Sequence, residues 1–248
     1  MTKVENCRTE LRKTDKKEWD EYLLKNSGLP GRRGNIELAQ AFALEGDREN
    51  FERYLEYKPE VAPVNSPEEF LAFCGVLGCG RLLSEGDDLQ FQRLRACARD
   101  PRWRVREGVA MALQMLGRSD MNRLIQEMET WSLGSPLDQR AAAAGLCEPD
   151  LLSGQRYSRK TLDILDRITG SIITLPDRKS AGFMALRKGL GYCWSVAVAA
   201  NPDYGKPVFE KWLSSLDKDI RWIMKQNLTK KRLWRMDRDW VEKCVTAI

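Results

Sequence analysis

Four small residues, Ala39, Cys74, Val109 and Ala143, recur at separations of 35, 35 and 34 along this chain. Each lies in a segment crowded with Ala, Gly and Leu. A loop rich in Gly, Pro, Ser or Asn precedes it, and a short turn and a more amphipathic segment follow. A repeat of roughly 20–50 residues marks a stacked array of supersecondary units. One such unit cannot bury its apolar face alone, so neighbours must approach closely enough to share a continuous core. Small side chains on the contact face permit that approach. The spacing therefore predicts an all-α chain built as a right-handed α-α superhelix, a solenoid of about five or six helix pairs. Residues 1–28 read as a helical N-terminal cap and residues 29–248 as one continuous array.

Local signals agree with helices. Asn35 reads as an N-cap with Glu37 in the first turn. Ser66, Pro67 and Glu69 read as an N-cap, a proline at the first helical position and the acidic arm of a capping box. Phe51, Tyr54 and Leu55 are the anchors of one second helix, Phe91 and Leu94 of the next, and Leu124, Ile125 and Met128 of a third. Beyond residue 156 the period loosens. Sustained period-2 alternation is absent, and IITL at 172–175 is the one short strand candidate.

Composition removes whole classes of chemistry. The chain has no histidine, so Ser-His-Asp and Cys-His catalysis and His-containing zinc sites are excluded. Its seven cysteines include no CxxC pair. Several fall on apolar helical segments, where a thiol behaves as a small hydrophobe. Reduced thiols suggest the cytosol. The N-terminal stretch has no apolar core of the leader type, and no apolar run reaches about 18 residues. The net charge is a mild +5, from 41 basic and 36 acidic residues. No pattern implies a metal or a cofactor.

At DPRWRVREGVAMAL the chain resembles the HEAT-repeat family. Asp100-Pro101, Val105-Arg106, Ala110, Ala112 and Leu113 stand where that family has its Asp-Pro turn, Val-Arg pair, alanines and leucine. SPLDQRAAAAGL matches more loosely with Arg140 in the arginine place, and DKDIRWIMKQNL matches with Ile220-Arg221. The likeness spans about residues 30–245 and implies a HEAT/armadillo-like solenoid. Two kinds of relative bear on function. Bacterial HEAT-repeat scaffolds bind proteins. DNA-alkylation-repair glycosylases built of HEAT-like repeats are similar to the segment RWIMKQNLTKKRLW. For that second group the resemblance implies a carboxylate, an arginine and tryptophans on a basic concave face. Asp217, Asp219 or Asp237 would supply the carboxylate here.

Candidate binding residues follow. Arg106, Arg140 and Arg221 occupy the repeat arginine place, with Asp100, Asp138 and Asp219 as available partners. The strongest basic cluster comprises Arg221, Lys225, Lys230, Lys231, Arg232, Arg235 and Arg238, interleaved with Trp222, Trp234 and Trp240. Such a set can track phosphates and stack bases, or it can be packed tryptophans beneath solvated lysines. Two further basic patches are Arg32-Arg33 in a Gly-rich loop and the ridge Arg93, Arg95, Arg99, Arg102, Arg104 and Arg106. The leading expectation is a non-enzymatic scaffold that binds a protein or peptide on its concave face. The alternative is a DNA-binding protein or alkylated-base glycosylase using the C-terminal cluster.

Overall fold

The computed structural model describes residues 1–248. It is helical throughout and contains no strand. IITL, the strand candidate, forms a 3-10 turn over Ile172–Thr174 instead. Ile172 is buried there and its carbonyl accepts the Leu175 N–H, so the segment closes on itself and offers no ladder. No helix is long and apolar enough to cross a membrane. The chain forms two compact units, Met1–Ser119 and Asp120–Ile248.

The first unit holds α1 (Lys3–Lys13), α2 (Trp19–Lys25), α3 (Ile36–Glu45), α4 (Arg48–Leu55), α5 (Pro67–Ser84), α6 (Leu89–Cys97) and α7 (Trp103–Ser119). Helices α3, α5 and α7 pack side by side, α4 and α6 cover α5, and α1 lies on α3. The centre is α5, and the residues that let it be central are small. A methyl group added at Gly78 would stand 2.1 Å from the Phe51 ring, and one at Gly80 would stand 2.6 Å from the Ala112 Cα. Backbone therefore meets side chain or backbone directly at both faces of the helix. Phe42 stacks on Tyr54 with ring centroids 5.0 Å apart and meets Phe51 and Trp19 edge-on at 5.7 Å each.

The helix starts are specified locally. The Asn35 side chain accepts the Leu38 N–H at 3.1 Å, and Ser66 Oγ accepts the Glu69 N–H at 3.3 Å. The return arm of that second cap differs from the expected box: Glu69 Oε2 takes the N–H of Asn65, at 2.7 Å, one residue before the cap. Arg104 explains the shift. Its guanidinium reaches Glu69 Oε2 at 3.0 Å, the Gly31 carbonyl at 2.6 Å and Asn65 Oδ1 at 3.1 Å. Glu69 is 0% exposed and Arg104 only 7%. Arg102 is buried as well, bonded to both Asp100 carboxylate oxygens and to the carbonyls of Tyr57 and Ala62.

The second unit holds α8 (Met121–Trp131), α9 (Pro136–Leu146), α10 (Gln155–Ser171), α11 (Ala181–Ala200), α12 (Pro202–Glu210), α13 (Lys218–Leu228), α14 (Lys231–Met236) and α15 (Arg238–Ala247). Helix α11 is its spine and touches α9, α10, α12, α13 and α14. Ser135 and Asp138 form a full reciprocal capping box on α9. Trp194 donates to Thr169 Oγ1 at 3.0 Å and meets Phe209 edge-on at 5.9 Å, and Phe209 in turn meets Trp240.

The four period-marking residues, Ala39, Cys74, Val109 and Ala143, are all 0% exposed. They sit in α3, α5, α7 and α9. All seven cysteines are free thiols, five of them buried. Burial pushes Cys79 up to about 12 and Cys97 up to about 11.

Candidate functional site

The second unit carries a cleft of about 720 Å³ between α11, α14 and the 3-10 turn Pro149–Leu152. Its position follows from how α13 ends. Asn227 is fully buried. Its amide donates to the Leu190 carbonyl of α11 at 2.9 Å and to the Ile223 carbonyl at 2.8 Å, and its oxygen accepts the Ser195 N–H at 2.8 Å. One side chain thus pins the register of α13 against α11. Two residues later Thr229 closes α13, and Trp234 Nε1 donates back to the Leu228 carbonyl at 2.7 Å. That hydrogen bond and the buried Leu233 lay α14 across α11.

The result is a cationic rim over an aliphatic floor. Lys230, Lys231, Arg232 and Arg235 form the rim. Ala199 and Ala200 form the floor over the buried Val196 and Leu152, with Pro149, Ser153 and Thr229 beside them. No aspartate or glutamate lines the cleft. Lys230, Lys231 and Arg235 have no carboxylate partner. Arg232 lies over the Tyr192 ring, 4.7 Å from its centroid, and donates to the phenol oxygen at 2.5 Å. Several other cations of this unit are neutralised: Lys206 by Asp237 at 2.5 Å, Lys211 by Asp166 at 2.5 Å and Arg238 by Glu242 at 2.9 Å. Like charges gathered in a cleft with low-dielectric walls focus the field and attract a counter-charge.

The structure brings together four of the residues expected from sequence, Lys230, Lys231, Arg232 and Arg235, and places the others apart. Arg221 donates to the Ile248 carbonyl. Trp222 is covered by Arg187, whose guanidinium carbon is 3.9 Å from the ring centroid. It lines a second cleft of about 630 Å³ with Arg178, Lys179, Lys218, Asp177 and Asp219. Lys225 is exposed on α13 and lines neither cleft. Arg106, in the first unit, donates to the carbonyls of Asp100 and Pro101 at 2.6 and 2.8 Å. The Asp100 carboxylate, its expected partner, pairs with Arg102. The expected basic ridge is largely engaged: Arg93 pairs with Glu52 at 2.6 Å, and Arg102 and Arg104 are interior. Tryptophans 234 and 240 both spend their N–H internally, on the Leu228 carbonyl and on Glu210.

The three carboxylates considered for chemistry are all held in place. Asp217 caps α13 through the N–H groups of Asp219 and Ile220 and pairs with Arg178 at 2.5 Å. Burial pushes its carboxyl up, but Arg178 and those N–H groups outweigh burial and hold it below the usual range. Asp219 is flanked by Arg187 at 3.0 Å and Arg178 at 3.3 Å. Asp237 caps α15, and Lys206 with the Trp240 N–H holds it low as well. A carboxylate held ionised by a fixed cation is a weak general base.

Sequence reasoning missed Tyr192, Asn227 and the floor residues. One signal for them was present: neither residues 181–202 nor residues 220–236 contain an aspartate or glutamate, and α11 and α14 bring these two acid-free stretches together. No family model, curated protein or solved structure matches the chain.

Proposed function

We propose that this chain is a non-enzymatic binding protein made of HEAT-like helix pairs, whose second unit captures a polyanionic partner in the cleft rimmed by Lys230, Lys231, Arg232 and Arg235. The observation that carries the reading is the uncompensated charge: four cations with no carboxylate among the lining residues. Like charges gathered around one hollow favour a negative partner there. The HEAT-like assignment rests on the repeated arginine place and on the buried small residues of α3, α5, α7 and α9. The non-enzymatic part rests on the absence of histidine and on the commitment of Asp217, Asp219 and Asp237 to fixed cations. Reduced thiols fit a cytoplasmic location.

Fluorescence polarisation across a salt series tests the reading, with labelled acidic peptide, single-stranded DNA and duplex DNA as probes. Binding of at least one probe at low salt, weakening as salt rises, is the expected result. The double charge reversal Lys231→Glu, Arg235→Glu should lower that affinity at least tenfold. Full-strength binding by the reversed protein would remove the cleft from consideration.

A further inference from the structure

Resting on the anion-binding reading, we infer that the occupant of the cleft is a short acidic protein segment: an aliphatic side chain seated on the floor, with carboxylates either side of it. The floor decides this first. Pro149, Ala199 and Ala200 present methyl and methylene groups over the buried Val196 and Leu152, with the hydroxyl residues Ser153 and Thr229 also in the lining. Such a surface rewards burial of an aliphatic group.

The aromatic residues point the same way. Single-strand binders use open aromatic faces as stacking platforms. Here the Tyr192 ring already carries the Arg232 guanidinium, and its hydroxyl is taken by the same group. Trp222 on α13 is likewise covered by Arg187. Both of these rings are occupied within the protein, and Trp234 on α14, partly exposed, spends its N–H on the Leu228 carbonyl.

The rim suggests a spacing for the carboxylates. Lys231 and Arg235 are four residues apart on α14, which puts their Cβ atoms about 5–6 Å from each other on one face. Carboxylates on alternate residues of an extended segment have a similar separation, and the residue between them would turn toward the floor. A Glu-Leu-Glu core satisfies both surfaces at once. Arg235 can take one carboxylate in fork geometry while Lys231 takes the other as a point charge.

The test uses the full chain and four labelled probes of equal length: a peptide with a Glu-Leu-Glu core, the same peptide with Glu-Ser-Glu, single-stranded oligothymidine and a DNA duplex. Two variants accompany the wild type. Ala199→Trp fills the floor without changing charge, and Lys231→Glu, Arg235→Glu inverts the rim. Thermal melts confirm that both are folded. The Glu-Leu-Glu peptide should bind at least tenfold more tightly than Glu-Ser-Glu and more tightly than either DNA. Ala199→Trp should abolish the preference for leucine, and rim inversion should abolish binding of both peptides. Equal affinity for the leucine and serine peptides, a leucine preference that survives Ala199→Trp, or tighter binding of either DNA would overturn the inference and leave the anion-binding reading standing. Failure of all four probes at low salt would take down both.

Discussion

Basic residues do opposite work in the two units. In Met1–Ser119, Arg102 and Arg104 are interior, and each gathers a carboxylate and backbone carbonyls around a planar fork. In Asp120–Ile248, Lys230, Lys231 and Arg235 stand at the rim of a cleft with no carboxylate opposite them. A run of cations in sequence looks the same in either case. The difference lies in the distant groups that the chain brings up: Gly31, Tyr57, Ala62 and Glu69 converge on the first set, whereas no carboxylate is brought up to the second. The first set is architecture, and the second is available charge.

That contrast can be attacked most strongly at Arg104. Arg104→Met leaves Glu69 buried without its cation and should cost about 3–5 kcal/mol, read as a lower urea midpoint. Adding Glu69→Gln should restore much of the loss, because the unpaired charge is then gone. A single variant as stable as wild type would break the distinction between structural and free cations.

Asn227 tests the positioning side of the second unit. Asn227→Leu removes the buried amide's hydrogen bonds to Leu190, Ser195 and Ile223 and should cost about 1–3 kcal/mol. It should also weaken anion binding, since the amide fixes the helix whose end carries the rim. Retained affinity in a destabilised protein would separate the rim from the register of α13.

Lys231→Glu, Arg235→Glu should leave the melting temperature unchanged while removing anion binding. A clear fall in Tm would mean that these side chains hold the fold, as Arg104 does, and would erase the comparison.

The smallest expected effect is that of pH near neutrality. The chain has no histidine, so no side chain with an ordinary pKa titrates between about pH 5.5 and 7.5, and Tm should be level there. Arg53 holds Asp20 low, Arg12 holds Glu45 low, and Lys206 holds Asp237 low. A carboxyl depressed in the fold stabilises it above the unfolded pKa of about 4. That contribution is lost as pH falls below this value toward the folded pKa. Two thiols act at the other end. Cys97 is raised to about 11 and Cys79 to about 12. Their contribution is complete below the unfolded thiol pKa of about 8.5. It fades as pH rises through the folded values. A melting curve that moved between pH 5.5 and 7.5 would point to a coupled group outside this account.

The helical class was legible because its signals are local. Asn35, Ser66 and Ser135 cap helices through bonds spanning three residues, and the small residues of α3, α5, α7 and α9 recur at the packing period. The cleft was half legible. Lys230, Lys231, Arg232 and Arg235 are neighbours in sequence, but Tyr192 and Val196 come from α11, and Pro149 from a turn before α10. Partner choice was the least legible part. Arg178 meets Asp217 and Asp219 across 39 and 41 residues, and no periodicity encodes such a meeting. Trp222 and Arg221 looked like members of the basic-aromatic cluster only because chain order sets them beside it. Helix geometry turns Trp222 toward Arg187 and Arg221 toward Ile248.

The close burial of α5 has a consequence for biosynthesis. Fourteen of its eighteen residues are buried, from Glu69 to Leu83. As the chain is made, α3 and α4 are ready to receive one side of this helix, but the opposite side waits for α7. Ser119, the last residue of α7, is added 35 residues after Ser84. At about 5–20 residues per second the uncovered side faces solvent for roughly 2–7 s. Nascent chains halted before Ser119 should therefore aggregate or recruit a chaperone, and those released just beyond it should be soluble.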